Sequence, residues 1–164
     1  MYQAKRLLVP VDYSDVSRAA VSAGLRMAAA MDAELWLLTV EEGMDKDVKE
    51  RILTAPDDNV VEARIQDSER ALIDAARLEA KRCDEVGKPL PFVPVHTLVA
   101  GGQWMDVILS TVDELQVDMV VVGTHGRDKG MKGLFNSTIS EKLVSKAPCS
   151  VMVVKPEGYP YLRD

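Results

Sequence analysis

The chain has 164 residues, of which 47% are hydrophobic, and carries a formal net charge of −6 from 26 acidic and 20 basic side chains. That length and apolar content allow one domain with a continuous core and no metal or disulfide staples, while the acidic balance excludes a nucleic-acid or anionic-lipid binder that works by bulk charge. No run approaches the roughly 18 apolar residues of a membrane span, the N-terminus reads as a short basic strand rather than a secretory signal, and the two cysteines, Cys83 and Cys149, form no CxxC pair, so a cytoplasmic protein without membrane insertion and with buried, reduced thiols is expected.

Lys5–Val11 is a short apolar run bounded by charge, which suits a strand buried on both faces. Ser14 can cap the helix that follows, whose stripe at helical spacing is Ala19, Ala20, Ala23, Met27 and Ala30. Glu34–Val40 reads as a second buried strand. From Glu41 to Pro56 the segment is polar, carries Gly43 and ends on a helix-stopping residue, so a flexible excursion with space for one helical turn is expected. Asp57 or Asp58 then opens the longest helix, running to about Val86, with Val61, Ile65, Leu72, Ala75, Ala76 and Leu78 facing inward. Gly87 and Pro89 end it, and Phe92–Leu98 forms a third strand whose internal Pro94 assigns it to a sheet edge. A helix from about Gln103 to Leu115 follows, and Asp118–Val122, the most apolar strand, is expected at the centre of the sheet. A long loop to about Phe135, a helix over Ser137–Ser145 and a fifth strand at Ser150–Val154 complete a single domain of residues 1–155, with a loose tail over 156–164.

Strands alternating with helices imply right-handed βαβ units, hence a doubly wound, five-stranded parallel sheet covered by helices on both faces. Ligands of such sheets sit beyond the carboxyl ends of the strands, where strand order reverses. That rule points to Val11–Tyr13, Val40–Glu41 and Gly123–Arg127.

The last of these opens a segment with Gly123, Gly126, Gly130 and Gly133, four glycines in eleven residues, leading to Asn136, Ser137 and Thr138 at the start of a helix. Glycine lets backbone N–H groups approach an anion, and a helix N-terminus favours phosphate, so the segment reads as an anion cradle. The alternative is a mobile surface loop whose glycines only permit turns. The segment is neither a Walker loop nor a GxGxxG fingerprint. Arg127 and Lys129 are either phosphate-neutralising cations or solvated loop charges. His125 has no evident nucleophile or orienting carboxylate, which favours a structural role. His96 reads as structural, and Trp36 and Trp104 as core or interface. Asp12, directly after a strand, is equally readable as a helix cap or a ligand contact.

The whole pattern resembles the universal stress protein family. Val9, Pro10, Val11, Asp12, Tyr13 and Ser14 resemble its opening strand and Asp-x-Ser turn, Val40 ends the second strand, Gly123-x2-Gly126-x9-Asn136-Ser137 follows its nucleotide motif, and Ala147–Val154 is typical of its closing strand. The likeness covers about residues 3–155. It implies a Rossmann-like sheet of the adenine nucleotide alpha hydrolase type, in strand order 3-2-1-4-5. It also implies ATP with Mg²⁺, or ADP or AMP, as ligand, the metal riding on the phosphates. Pro10, Val11 and Asp12 would border the adenosine and Val40 would meet adenine through its backbone, while Val122, Gly123, Gly126, Arg127, Asn136, Ser137 and Thr138 would hold ribose and phosphates. The family's ATP-binding branch has glycine where this chain has Asn136. The resemblance further implies a homodimer joined through the Ser150–Val154 strand, signalling to a protein partner, with no catalytic residue and at most weak ATPase activity. Two other readings stay open: a nucleotide-free dimeric adaptor with a degenerate site, and a true hydrolase or adenylyl-transferring enzyme.

Overall fold

The alternation of strand side chains sorts the apolar residues into two cores, one on each face of a sheet. The computed structural model describes residues 4–41, 59–124 and 137–155. Its elements are β1 (Arg6–Pro10), α1 (Asp15–Met31), β2 (Glu34–Glu41), α2 (Asn59–Glu85), β3 (Val95–Gly101), α3 (Trp104–Glu114), β4 (Met119–Gly123), α4 (Ser137–Lys146) and β5 (Ser150–Val154). The five strands are parallel in the order β3-β2-β1-β4-β5, the doubly wound Rossmann-like arrangement expected. Leu7, Val9 and Val11 pack with Leu35, Leu37 and Val121 against α1 and against Leu72 and Ala76 of α2. Leu8, Leu38, Val40, Val120 and Val122 face the other way, against Trp104, Val107, Ile108 and Val112 of α3 and Leu143 of α4. Each such fully buried aliphatic side chain contributes about 1.5–3 kcal/mol relative to exposure.

The strand ends at the base of the sheet are joined by Asp118, whose Oδ2 accepts from the backbone N–H groups of Lys5 (2.7 Å) and Arg6 (3.0 Å). β4 lies one place in from the edge; the centre belongs to β1, because the sheet grows outward from it in both directions. Being buried on both faces and paired on both edges makes β4 as apolar as a central strand, which is why composition does not separate the two.

Three further differences from the expected elements have local causes. Helix α1 buries Ser17, Ala20, Val21, Gly24, Leu25 and Ala28; of the expected stripe only Ala20 is fully buried, and Ala30 is exposed. A Cβ on Gly24 would lie 2.7 Å from Val9 Cγ2, so the helix comes down on the sheet along its smallest residues, a line that hydrophobicity alone does not mark. Strand β3 starts at Val95 rather than Phe92. Pro94 has no N–H for a ladder and remains before the strand, where its carbonyl accepts from Leu35 N–H at 2.9 Å; Phe92 is 91% exposed. β3 is an edge strand, as Pro94 indicated. In α2, Leu72 and Ala76 are buried as expected, Ile65 and Ala75 are half-buried, and Leu78 points outward, while Glu79 and Cys83 are buried in its place. Glu79 keeps its carboxylate satisfied through Arg82 at 2.8 Å.

Both tryptophans pack on the α3 side of the sheet, and Trp36 stacks on His96 with ring centroids 4.2 Å apart, giving that histidine a structural place. Both cysteines are free; Cys83 is buried, but Cys149 is only half-buried, standing at the exposed start of an edge strand. Burial still pushes its thiol pKa up. No helix among the described residues is long and apolar enough to cross a membrane. The expected excursion after Glu41, the glycine-rich loop after Thr124 and the tail after Lys155 lie outside the described residues.

The α2 face is tested by paired truncations. Leu72, fully buried, should cost about 2–5 kcal/mol when replaced by alanine, whereas Leu78→Ala should stay within about 0.5 kcal/mol. Urea midpoints at unchanged m-value measure both.

Candidate functional site

Strand order reverses between β1 and β4, and the site is built where those strands end. Val11, buried, makes the last rung toward β2 by donating its N–H to Leu38 O at 2.7 Å. The chain then leaves the sheet through Asp12, Tyr13 and Ser14 into α1. Ser14 is the N-cap: its Oγ accepts from Ser17 N–H at 3.2 Å. Asp12 stands behind the cap, its Oδ1 accepting from Ser14 N–H (3.1 Å) and from Ser14 Oγ–H (2.6 Å). The capping role open to Asp12 in the sequence thus belongs to Ser14. The half-buried aspartate is aimed by the turn, with Oδ2 outside the turn's own bonds and the positive end of α1 beside it.

Tyr13 holds the turn in an uncommon conformation, with φ of 63°. For a residue with a Cβ this left-handed geometry costs on the order of 1 kcal/mol, and an anchor offsets it: the Tyr13 hydroxyl donates to Ser68 O of α2 at 3.2 Å. Burial pushes its pKa up, hydrogen bonds with Thr39 and Ser68 pull against that rise, and the Glu41 carboxylate adds to it.

Beyond the point where β1 departs, β2 continues through Val40 to Glu41, paired on its far side with Ala100 and Gly101 of β3. The Val40 side chain is buried in the α3-side core, so what it presents to the crevice is backbone. Glu41 takes two bonds from α2, from Ser68 Oγ–H (2.6 Å) and from Arg64 (3.0 Å).

On the other wall, Val122 is fully buried in the same core and likewise offers only backbone. Gly123 ends β4. A Cβ there would lie 2.4 Å from Val16 Cγ1 and 2.7 Å from Val16 O, so its glycine is demanded by the first turn of α1 packing onto the strand end. This requirement holds whether or not an anion is bound. Ser137 and Thr138 open α4, whose N-terminus the topology brings to the same end of the sheet. Gly126, Arg127 and Asn136 lie outside the described residues, as do His125 and Lys129. The structure therefore brings together Pro10, Val11, Asp12, Val40, Val122 and Gly123 at the strand ends.

Sequence reasoning placed Tyr13 and Glu41 at the strand ends but missed Ser68 and Arg64 and the bonds that tie all four together. Nothing in the residue types announces a left-handed tyrosine. The spacing of Arg64 and Ser68, four apart on one helix face opposite an acidic strand end, is the signal that was available.

A model of the universal stress protein family matches residues 3–155. Universal stress protein MJ0531 from Methanocaldococcus jannaschii is 26% identical over 156 residues, covering 92% of this chain and 82% of that one. Among solved structures, a universal stress protein in complex with cAMP is similar with a TM-score of 0.63 at 20% identity, over 95% of this chain and 100% of that one. A universal stress protein family protein from Arabidopsis thaliana with AMP bound gives a TM-score of 0.53 at 21% identity, over 94% and 93% of the two chains.

The contact at Gly123 generates a prediction. Because the obstructing atoms include the backbone oxygen of Val16, Gly123→Ala should destabilise the protein by about 1–3 kcal/mol through overpacking. Chemical denaturation of ligand-free protein checks it; an unchanged midpoint would show that α1 can shift to make room.

Proposed function

The chain belongs to the universal stress protein family, and from that premise we propose that it is a regulatory protein that binds an adenine nucleotide, ATP with Mg²⁺ or ADP or AMP, at the carboxyl ends of its strands. In this reading hydrolysis is slow or absent, and the bound state is communicated to a protein partner. The observation that carries it is the turn at Asp12: a half-buried carboxylate, aimed by Ser14 beside the N-terminus of α1, at the point where strand order reverses. Two similar structures hold cAMP and AMP.

Within this reading Asp12 receives a ribose hydroxyl, Pro10 and Val11 border the adenosine, and the backbone of Val40 meets adenine. Val122, Gly123, Gly126, Arg127, Asn136, Ser137 and Thr138 border the ribose and phosphates, with the α4 N-terminus supplying N–H groups and a favourable dipole. The described residues contain no group of three or more His, Cys, Asp or Glu able to hold a metal ion; a Mg²⁺ would accompany the phosphates and keep most of its waters. Rapid hydrolysis needs an attacking water to be positioned and charge to be stabilised in the transition state. Asp12, held as an acceptor by Ser14, suits the holding of a sugar hydroxyl. Asn136, standing where the ATP-binding branch has glycine, favours the competing reading of a nucleotide-free adaptor. In either case a homodimer would form by antiparallel pairing of β5, a sheet edge with Val153 38% exposed.

Denaturing freshly purified protein and running the supernatant on ion exchange should release about one adenine nucleotide per chain, and an emptied protein should gain thermal stability with Mg-ATP. Asp12→Ala and Ser137→Ala should lose both effects, while Asn136→Gly should keep or tighten binding. An empty wild type with no thermal shift at millimolar Mg-ATP would establish the adaptor instead. Sedimentation tests the assembly: a dimer is expected for the wild type and a monomer for Val153→Asp, which sets like charges near each other across the paired edges.

A further inference from the structure

Helix α2 is attached to the rest of the molecule in two chemically different ways. Its C-terminal half is seated by Leu72, Ala76, Glu79 and Cys83, all buried. From residue 63 to residue 71, by contrast, every position is exposed or half-buried, and Ile65 is the apolar side chain of that stretch that packs on the core. Besides Ile65, the ties of residues 63–71 named by the structure are polar. The Tyr13 hydroxyl donates to Ser68 O, Ser68 Oγ–H donates to Glu41 Oε1, and Arg64 pairs with Glu41 Oε2.

These bonds converge from the turn after β1 and from the end of β2. Tyr13 lies between Asp12 and the capping Ser14, and Glu41 directly follows Val40, so Ser68 is bonded at once to the turn after β1 and to the end of β2. We propose that Tyr13, Ser68 and Glu41 form a latch: they hold the N-terminal half of α2 on the sheet and make its order depend on the state of the crevice. The inference rests on the nucleotide reading for the ligand's identity. Tyr13 acts as a positioning residue, because its left-handed backbone, which shapes the turn carrying Asp12, is stabilised by a bond made on α2. A ligand that tightens the Asp12 turn tightens the latch, and by linkage loss of the latch weakens the ligand by the same factor.

Hydrogen exchange read by mass spectrometry, together with calorimetric titration of ADP, tests the proposal on the full chain. In unliganded protein, Tyr13→Phe should speed exchange over residues 63–71 on the order of fivefold, the scale of one lost hydrogen bond, and leave residues 72–83 unchanged. In the wild type ADP should slow exchange over 63–71, and Tyr13→Phe should bind ADP on the order of fivefold more weakly, with less slowing. Unchanged exchange over 63–71 in Tyr13→Phe, or equal ADP affinity in both proteins, overturns the latch. If Tyr13→Phe unfolds globally, Ser68→Ala, which leaves the turn residues intact, must show the same local pattern or the proposal fails. Should the wild type bind neither ADP, AMP nor Mg-ATP, the nucleotide reading falls, and the unliganded exchange then decides only whether the polar ties hold residues 63–71.

Discussion

Strand β1 is enclosed on every side, and the rest of the architecture follows from that confinement. It is paired with β2 on one edge and β4 on the other, with one core above and another below. A strand so placed can leave its sheet only at the end, and α1 must begin almost at once if its first turn is to set Val16 against Gly123 at the end of β4. The available chain is Asp12, Tyr13 and Ser14. Three residues can reverse direction this sharply when one of them takes a left-handed backbone, and Tyr13 does. The aimed carboxylate of Asp12, the cap at Ser14 and the anchor on α2 are consequences of a tight exit from a buried strand.

The same confinement alters the meaning of Gly123. A glycine at the head of a glycine-rich segment invites a ligand-based explanation, in which a bare backbone lies against phosphate. The structure supplies a cause that needs no ligand, since the Val16 backbone occupies the space a side chain would take. The two causes are compatible. Packing fixes Gly123 whatever is bound at the strand ends.

Architecture was legible in the sequence wherever burial is complete. The runs that became β1, β2 and β4 were read within a residue, since a strand buried on both faces is a plain apolar word; β5, a half-buried edge, was read from its own apolar run. Ser14 was legible as a cap because capping is local chemistry. Legibility failed where contact is decided by small size or by a missing donor. Gly24 and Ser17 line the contact face of α1 although neither is hydrophobic, and Pro94 displaced β3 by acting on a neighbour's hydrogen bond. At the site, Asp12, Tyr13, Val40 and Gly123 were readable from position relative to strand ends, but the tie between Tyr13 and Ser68 was not. Their relation spans distant parts of the chain and depends on a backbone angle that no residue type announces.

The uneven attachment of α2 bears on how such a fold can respond to a ligand without rearranging its core. A buried leucine such as Leu72 supplies a few kcal/mol, whereas each polar tie near Ser68 supplies about 1 kcal/mol net. The end of α2 toward the base of the sheet is therefore firmly seated, and the end toward the crevice lies within reach of thermal opening and of ligand binding. Opening one end of a helix while the other stays packed exposes little apolar surface, so the cost remains in the range that a small molecule's differential affinity can supply. A uniformly apolar α2 would be more stable and would be deaf to the crevice. In the proposed latch, the polar character of Arg64, Ser68 and Glu41, which in composition looks like ordinary surface, is what would keep this end of the sheet responsive.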